Sequence, residues 1–192
     1  MGRSFTKREK EKIRQSLQDA CKQSWTRYGY KKTSIDELCR QTGISKGAFY
    51  LFYESKEALF CEVLCQVQQQ ICDGAAKILI EYQDKRGAAE ALKYIYREYD
   101  KHNFLYNAES VDYTILLHKL SEEQAGRLRE SERMSREIFY DRPWLKFRID
   151  RDKAMAVIYA LLMNLKNKEI LPYDHMETFD FMIDHMIDSL YV

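Results

Sequence analysis

Residues 33–57, TSIDELCRQTGISKGAFYLFYESKE, read as two short helices around a tight turn. Ser34 is a helix N-cap, with Glu37 three residues later to close a capping box. Gly43 ends that helix, because the left-handed conformation past a helix C-terminus favours a residue without Cβ. Ser45 caps the second helix. Leu38, Ile44 and Phe49 give the pair a shared apolar contact, so the helices cross at an angle. This is helix-turn-helix geometry, in which the second helix enters the major groove of DNA. Helix pairs that never touch DNA share the geometry, so the residue string has to discriminate.

Gly29-Tyr30, Thr33-Ser34, Gly43-Ile44-Ser45-Lys46-Gly47, Phe49-Tyr50 and Ser55-Lys56-Glu57-Ala58-Leu59 fall in the order and spacing of the TetR (tetracycline-repressor-type) family. The chain resembles that family over about residues 8–65. The resemblance implies a three-helix DNA reader followed by a larger helical body. It implies that residues matching Thr33, Tyr50 and Lys56 hold phosphates. Ser45, Lys46, Gly47 and Ala48 match the start of the recognition helix, where base edges are reached. Lys46 suits guanine O6/N7, and Ala48 suits a thymine methyl. The helix starts capped at Ser34, Ser45 and Ser55 suit phosphate, since their backbone N–H groups point outward. Capping alone also explains Thr33 and Ser45, and a core position also fits Tyr50. One position departs from the family: Phe52 stands where His or Tyr is common, and Phe donates no hydrogen bond. Cys39 stands where a small Ala is usual and reads as a small hydrophobe.

Charge agrees with this reading. Residues 1–53 hold twelve Lys/Arg against five Asp/Glu, and the remainder nineteen against twenty-five. A basic head on an acidic body suits an anionic partner at the head. The expected division is a DNA-binding domain over residues 1–54 and a regulatory and dimerisation domain over 55–192. The charged start has no apolar core for a signal peptide. The densest apolar run, Ala154–Met163, is too short to span a bilayer. Five cysteines without a CxxC pair fit reduced thiols. The expectation is a cytoplasmic protein that meets no membrane.

Outward from the motif the periodicity is helical throughout, giving an all-α fold of about nine helices. Helix 1 spans about Lys7–Tyr28 and stops at Gly29. Its start, from Arg3 through Lys7, Arg8, Lys10 and Lys12, is either a DNA-reaching arm or a solvated helix start. Helix 4 carries apolar residues on two sides. Helix 5 follows a break at Asp84–Gly87, and helix 6 is expected from Glu109. Ser121 with Gln124 opens helix 7, and Asp174 with Glu177 opens helix 9. Helix 8, about Arg151–Asn167, is apolar nearly all round and reads as buried on most faces.

The resemblance also implies a homodimer through the last two helices and often a small-molecule pocket in the body. The dimer seam is expected at Met155, Ile158, Leu162, Phe179, Ile183, Met186 and Ile187. Tyrosine combines an apolar body with a polar tip, which is how pockets orient ligands. The expected lining is Tyr94, Tyr99, Phe104, Tyr113 and Leu117; core packing explains the same residues. Cys61, Cys65 and Cys72 share one face of helix 4, fitting inert packing or thiol sensing. The four His are scattered, so no metal set or cofactor is expected. No GxSxG, P-loop, HExxH or GxGxxG occurs, which argues against an enzyme. The expected function is a transcriptional regulator, a repressor released from a palindromic double-stranded operator by a small effector. The alternative is a DNA-binding protein of the same fold controlled by protein partners.

Overall fold

The computed structural model describes residues 5–105, 111–138 and 142–192. Among these, nine α-helices and two short 3-10 segments occur, with no strand beyond an isolated bridge between Phe147 and Tyr191. The chain forms two compact units. The first comprises Met1–Gln66 with Ala108–Arg129, and the second comprises Val67–Asn107 with Glu130–Val192.

In the first unit, α1 (Lys7–Lys32) begins at Thr6, whose side chain and that of Glu9 form a reciprocal capping box. Gly29 interrupts it at φ 81° and ψ 171°, a region reserved for glycine. The expected stop is therefore a kink with one more turn beyond it. A Cβ at Gly29 would sit on the Asp112 carboxylate, which accepts the Lys31 N–H at 3.1 Å. Asp112 lies in α6 (Val111–Lys119), which packs on α1. The start expected for helix 6 at Glu109 lies outside the described residues.

Next come α2 (Ile35–Thr42) and α3 (Lys46–Phe49), joined through Gly43 at φ 68°. Ser34 accepts from Glu37 N at 3.2 Å, but the Glu37 carboxylate turns to Arg40 and Gln41. Only half of the expected capping box forms, because two side-chain donors reach that carboxylate. The first turns of α4 (Lys56–Glu81) start at Ser55, which accepts from Ala58 N at 3.0 Å. Leu17, Cys21, Trp25, Leu38, Phe49, Leu59 and Phe60 form the core, with the Trp25 and Phe60 rings 4.7 Å apart. Each such side chain contributes about 1.5–3 kcal/mol on burial. Ser121 and Gln124 form the complete capping box expected at the start of α7 (Glu122–Glu137).

In the second unit, α5 (Lys85–Lys101) packs along α9 (His175–Leu190). Asp84 and Asp174 cap their N-termini. Tyr96 stacks on Phe179 with ring centroids 3.7 Å apart and an interplanar angle of 10°. Ion pairs flank that seam: Lys85–Asp188 and Lys93–Asp184, both at 2.6 Å, and Arg97–Asp180. Pairs with one exposed partner add little individually. α8 (Arg151–Met163) ends in a 3-10 segment, Asn164–Ile170. It is not buried on most faces: Ala154, Ile158 and Leu161 are buried, while Ala156, Tyr159 and Ala160 are exposed. Periodicity reports that a face is apolar, not whether this chain covers it.

Candidate nucleic-acid interface

The tip of the first unit carries the charged and polar residues expected to meet DNA. Ser45, Lys46, Gly47 and Tyr50 are exposed on and beside α3, and Phe49 behind them is fully buried. The reading surface is thus a short exposed row on an apolar anchor. Ala48 is half-buried, and its N–H donates to Ser45 Oγ at 3.1 Å. Leu51 beside Tyr50 is 72% exposed, an apolar residue that periodicity did not single out.

Lys46 Nζ pairs with Asp36, 3.1 Å away on α2. Both are well exposed, so the pair is a weak restraint that a phosphate or base can replace. That carboxylate holds the Lys46 pKa above its ordinary value. Lys56 is more deeply held. Its ammonium donates to the Tyr30 carbonyl at 2.5 Å and lies 3.9 Å from the Tyr30 ring centroid. Burial pushes its pKa down. One of three N–H donors is used, so donors remain for a phosphate. Tyr30 donates in turn to Glu57.

Thr33 departs from expectation. It is 2% exposed, and its hydroxyl donates to the Gly29 carbonyl at 2.8 Å. Its proton is spent on the last turn of α1, so here it fixes the entry into α2 rather than offering a donor. Ser34 only accepts, from Glu37 N, and keeps its proton available at the surface.

A polar knot braces this surface from behind. Glu62 on α4 accepts from Arg14 Nη1 at 3.0 Å to each oxygen, from Gln18 at 2.6 Å and from Tyr53 at 3.2 Å. Arg14 also donates to the Phe52 carbonyl at 3.1 Å. No pattern in the sequence announces this knot, because the partners on α1 and α4 lie 44 to 48 residues apart.

This head matches the family described as bacterial regulatory proteins, tetR family, over residues 17–63. Residues 17–63 carry the head of the tetR family of bacterial regulatory proteins. It is 39% identical over 57 residues to the HTH-type transcriptional regulator YuxN of Bacillus subtilis (strain 168), covering 30% of this chain and 19% of that one. It is 29% identical over 80 residues to the HTH-type transcriptional regulator AcrR of Shigella flexneri, covering 42% and 35%. The match thus spans about a fifth to a third of these curated relatives. Among solved structures, FadR from Bacillus subtilis in complex with stearoyl-CoA superposes with a TM-score of 0.70 at 14% identity, over 91% of this chain and 98% of that one. PfmR from Thermus thermophilus gives 0.63 at 21%, over 90% and 96%. These structures share the TetR fold from end to end. The curated relatives matched at the head are described as transcriptional regulators, and the likeness to the solved structures is one of fold.

The residues expected to line a TetR-type effector pocket are divided between the units. Tyr94, Tyr99 and Phe104 belong to the second, Tyr113 and the exposed Leu117 to the first. Tyr94 lies over Gly74, where any Cβ would strike its phenol, so Tyr94 is a packing residue. Tyr99 is pushed up to about 12, first by burial and then by Cys72, Tyr159 and Glu132 nearby. Among the described residues, two open clefts stand out. One, of about 530 Å³, lies on the head along α1 and α2; the other, of about 510 Å³, lies along α5 and α9. Neither is between α4 and α8.

Of the residues expected at the dimer seam, Ile158, Phe179, Ile183 and Ile187 are buried within the protomer's own core. Met155, Leu162 and Met186 are half-buried. One helix stripe covers one surface, and α9 has given its stripe to α5. The outward side chains are instead Tyr159 at 63% and Phe181 at 64% exposure. Cys72 donates to Ser135 at 3.2 Å in the second unit, apart from Cys61 and Cys65 in the first. Among the described residues no His, Cys, Asp and Glu cluster is placed to hold a metal, and no helix is long and apolar enough to cross a membrane.

Proposed function

We propose that this chain is a cytoplasmic homodimeric repressor that reads a palindromic operator with α3 and is released by a small effector. The observation that carries the DNA reading is the exposed row Ser45, Lys46, Gly47 and Tyr50 on the buried Phe49 anchor. Residues 1–54 carry the reading surface, held in a first unit that also takes in the start of α4 and residues 111–129, and the second unit serves regulation and dimerisation. Lys46 reads base edges; Tyr50, Ser34 and the free donors of Lys56 grip phosphate. The dimer forms through the outer faces of α8 and α9, at Tyr159, Phe181 and the half-buried Met155, Leu162 and Met186. A two-fold dimer presents two identical heads, hence the palindrome. Selection of duplexes from a random library by the purified chain tests this. Recovery of inverted repeats supports it, and recovery of no enriched site sinks it.

The effector site is proposed within the second unit, between the Val67–Glu81 part of α4 and α8, with Tyr99 as its polar contact and Phe104 nearby. The stearoyl-CoA held by FadR supports an effector with a long apolar part. The effector must bind the DNA-free form better, since equal affinity shifts nothing. A coupling of about 1–3 kcal/mol loosens DNA binding roughly 5- to 150-fold. Neither described cleft lies there, which favours keeping a second reading, control by a protein partner. A thermal-shift screen of acyl-CoAs and aromatic acids, followed by operator release, separates them: no stabilising compound hands the function to the partner reading.

A further inference from the structure

We propose that the first two turns of α1 form a second phosphate-gripping ridge, docked beside the reading surface by contact between the Phe5 and Phe52 rings. The proposal rests on the DNA reading given above and adds to it a separate stretch of chain. Phe5 immediately precedes the cap residue Thr6, and its ring lies 6.0 Å from that of Phe52. The cap is closed from both sides: Thr6 N donates to Glu9 at 2.8 Å and Glu9 N to Thr6 Oγ1 at 3.2 Å. Two turns further along, Arg14 donates to the Phe52 carbonyl at 3.1 Å while chelating Glu62. Phe52 is thus held by α1 through its ring and through its backbone. Tyr50, on the reading surface, is two residues away in sequence.

The side chains so positioned are cationic. Lys7, Arg8, Lys10 and Lys12 are all exposed, and among the described residues no ion pair or hydrogen bond engages their side chains. Elsewhere in the head, Lys22, Arg40 and Lys46 each pair with a carboxylate. Of the two acids in this stretch, Glu9 is committed to the Thr6 cap, and Glu11 is the remaining counter-charge. Four unpaired cations within six residues repel one another, and duplex DNA supplies the matching charge at a spacing of about 1.7 Å per phosphate along its axis. Phe52 has no donor of its own, so its part is to position: it carries the start of α1, and the cations there make the contact. Lys7 and Arg8, nearest the ring contact, bear most of the load.

The test is a salt titration. The full chain and its variants bind a fluorescein-labelled duplex carrying the sequence that the wild type selects from a random library, read by anisotropy at several salt concentrations. In Lys7→Ala/Arg8→Ala the slope of log K against log salt becomes shallower by about 1.8, near 0.9 for each phosphate no longer neutralised, and base preference is unchanged. Phe5→Ala keeps the charges but frees the ridge, and shows part of the same flattening; Phe5→Leu restores the wild-type value. Lys77→Ala/Lys153→Ala, which removes two exposed cations from the other unit, leaves the slope as it was. An unchanged slope in Lys7→Ala/Arg8→Ala, or an equal flattening in the control pair, overturns the ridge while leaving the α3 reading intact. A wild type that selects no duplex overturns both.

Discussion

Replacing Gly29 by alanine attacks the head at its joint, far from any DNA-facing side chain. The backbone there sits at φ 81° and ψ 171°, which side chains with a Cβ avoid at a cost of about 1–3 kcal/mol. The new methyl also meets the Asp112 carboxylate and drives it off the Lys31 N–H. Losing that surface hydrogen bond costs about 1 kcal/mol more. The sum is about 3 kcal/mol, which for a chain of this size lowers Tm by roughly 6–12 °C. Asp112→Ala alone removes only the hydrogen bond. The double variant relieves the clash, so its loss falls short of the sum of the two singles, the signature of residues in contact. Urea unfolding of the wild type and the three variants measures each side of this cycle. If Gly29→Ala unfolds at the wild-type midpoint, or if the two changes add strictly, neither the reserved backbone nor the Asp112 contact governs the joint.

Ile183 and Phe181 separate core from seam. Ile183→Asp buries an unpaired charge against α5 and unfolds the second unit, whereas Phe181→Asp leaves a folded chain that sediments as a monomer; circular dichroism with sedimentation checks both, and a dimeric Phe181→Asp refutes the outer-face seam. Lys46→Ala leaves thermal stability unchanged and relaxes base preference at one position per half-site, read by competition among single-base operator variants. Lys56→Ala loses the Tyr30 carbonyl and ring contacts, so it lowers stability by about 1–2 kcal/mol and also flattens the salt slope by about one. Gly74→Val forces Tyr94 off α4 and destabilises by an amount that Tyr94→Ala largely relieves, measured by the same unfolding assay.

What the sequence made legible was local. Gly43, the caps at Ser45, Ser55, Asp174 and Ser121, and the burial of Leu38 and Phe49 all follow from spacings of three or four residues. What stayed hidden was set by distant partners. The carboxylate of Glu37 went to Arg40 and Gln41 in competition with its own cap, a choice between donors of similar reach. Thr33 surrendered its proton to Gly29, which depends on a kink that no window of apolar residues reports. The apolar stripe of α9 looked available for a second copy and was taken by α5, because a stripe does not name what covers it. The Arg14–Glu62 knot and the Asp112 contact join residues 48 and 81 positions apart, beyond any periodic pattern.

The membership of α6 in the first unit bears on how this protein can be recombined. A chimaera cut after the fourth helix begins, the natural place to swap readers between regulators, separates Lys31 from Asp112 and Glu54 from Gln124, which donates to it at 3.0 Å. The transplanted reader then arrives with its α1 joint unlatched and part of α4 uncovered. A donor fragment that retains specificity on a foreign body has to bring residues 111–129 along, or find equivalents there. The unit of inheritance for DNA reading in this chain is therefore discontinuous, two segments that must travel together or co-adapt.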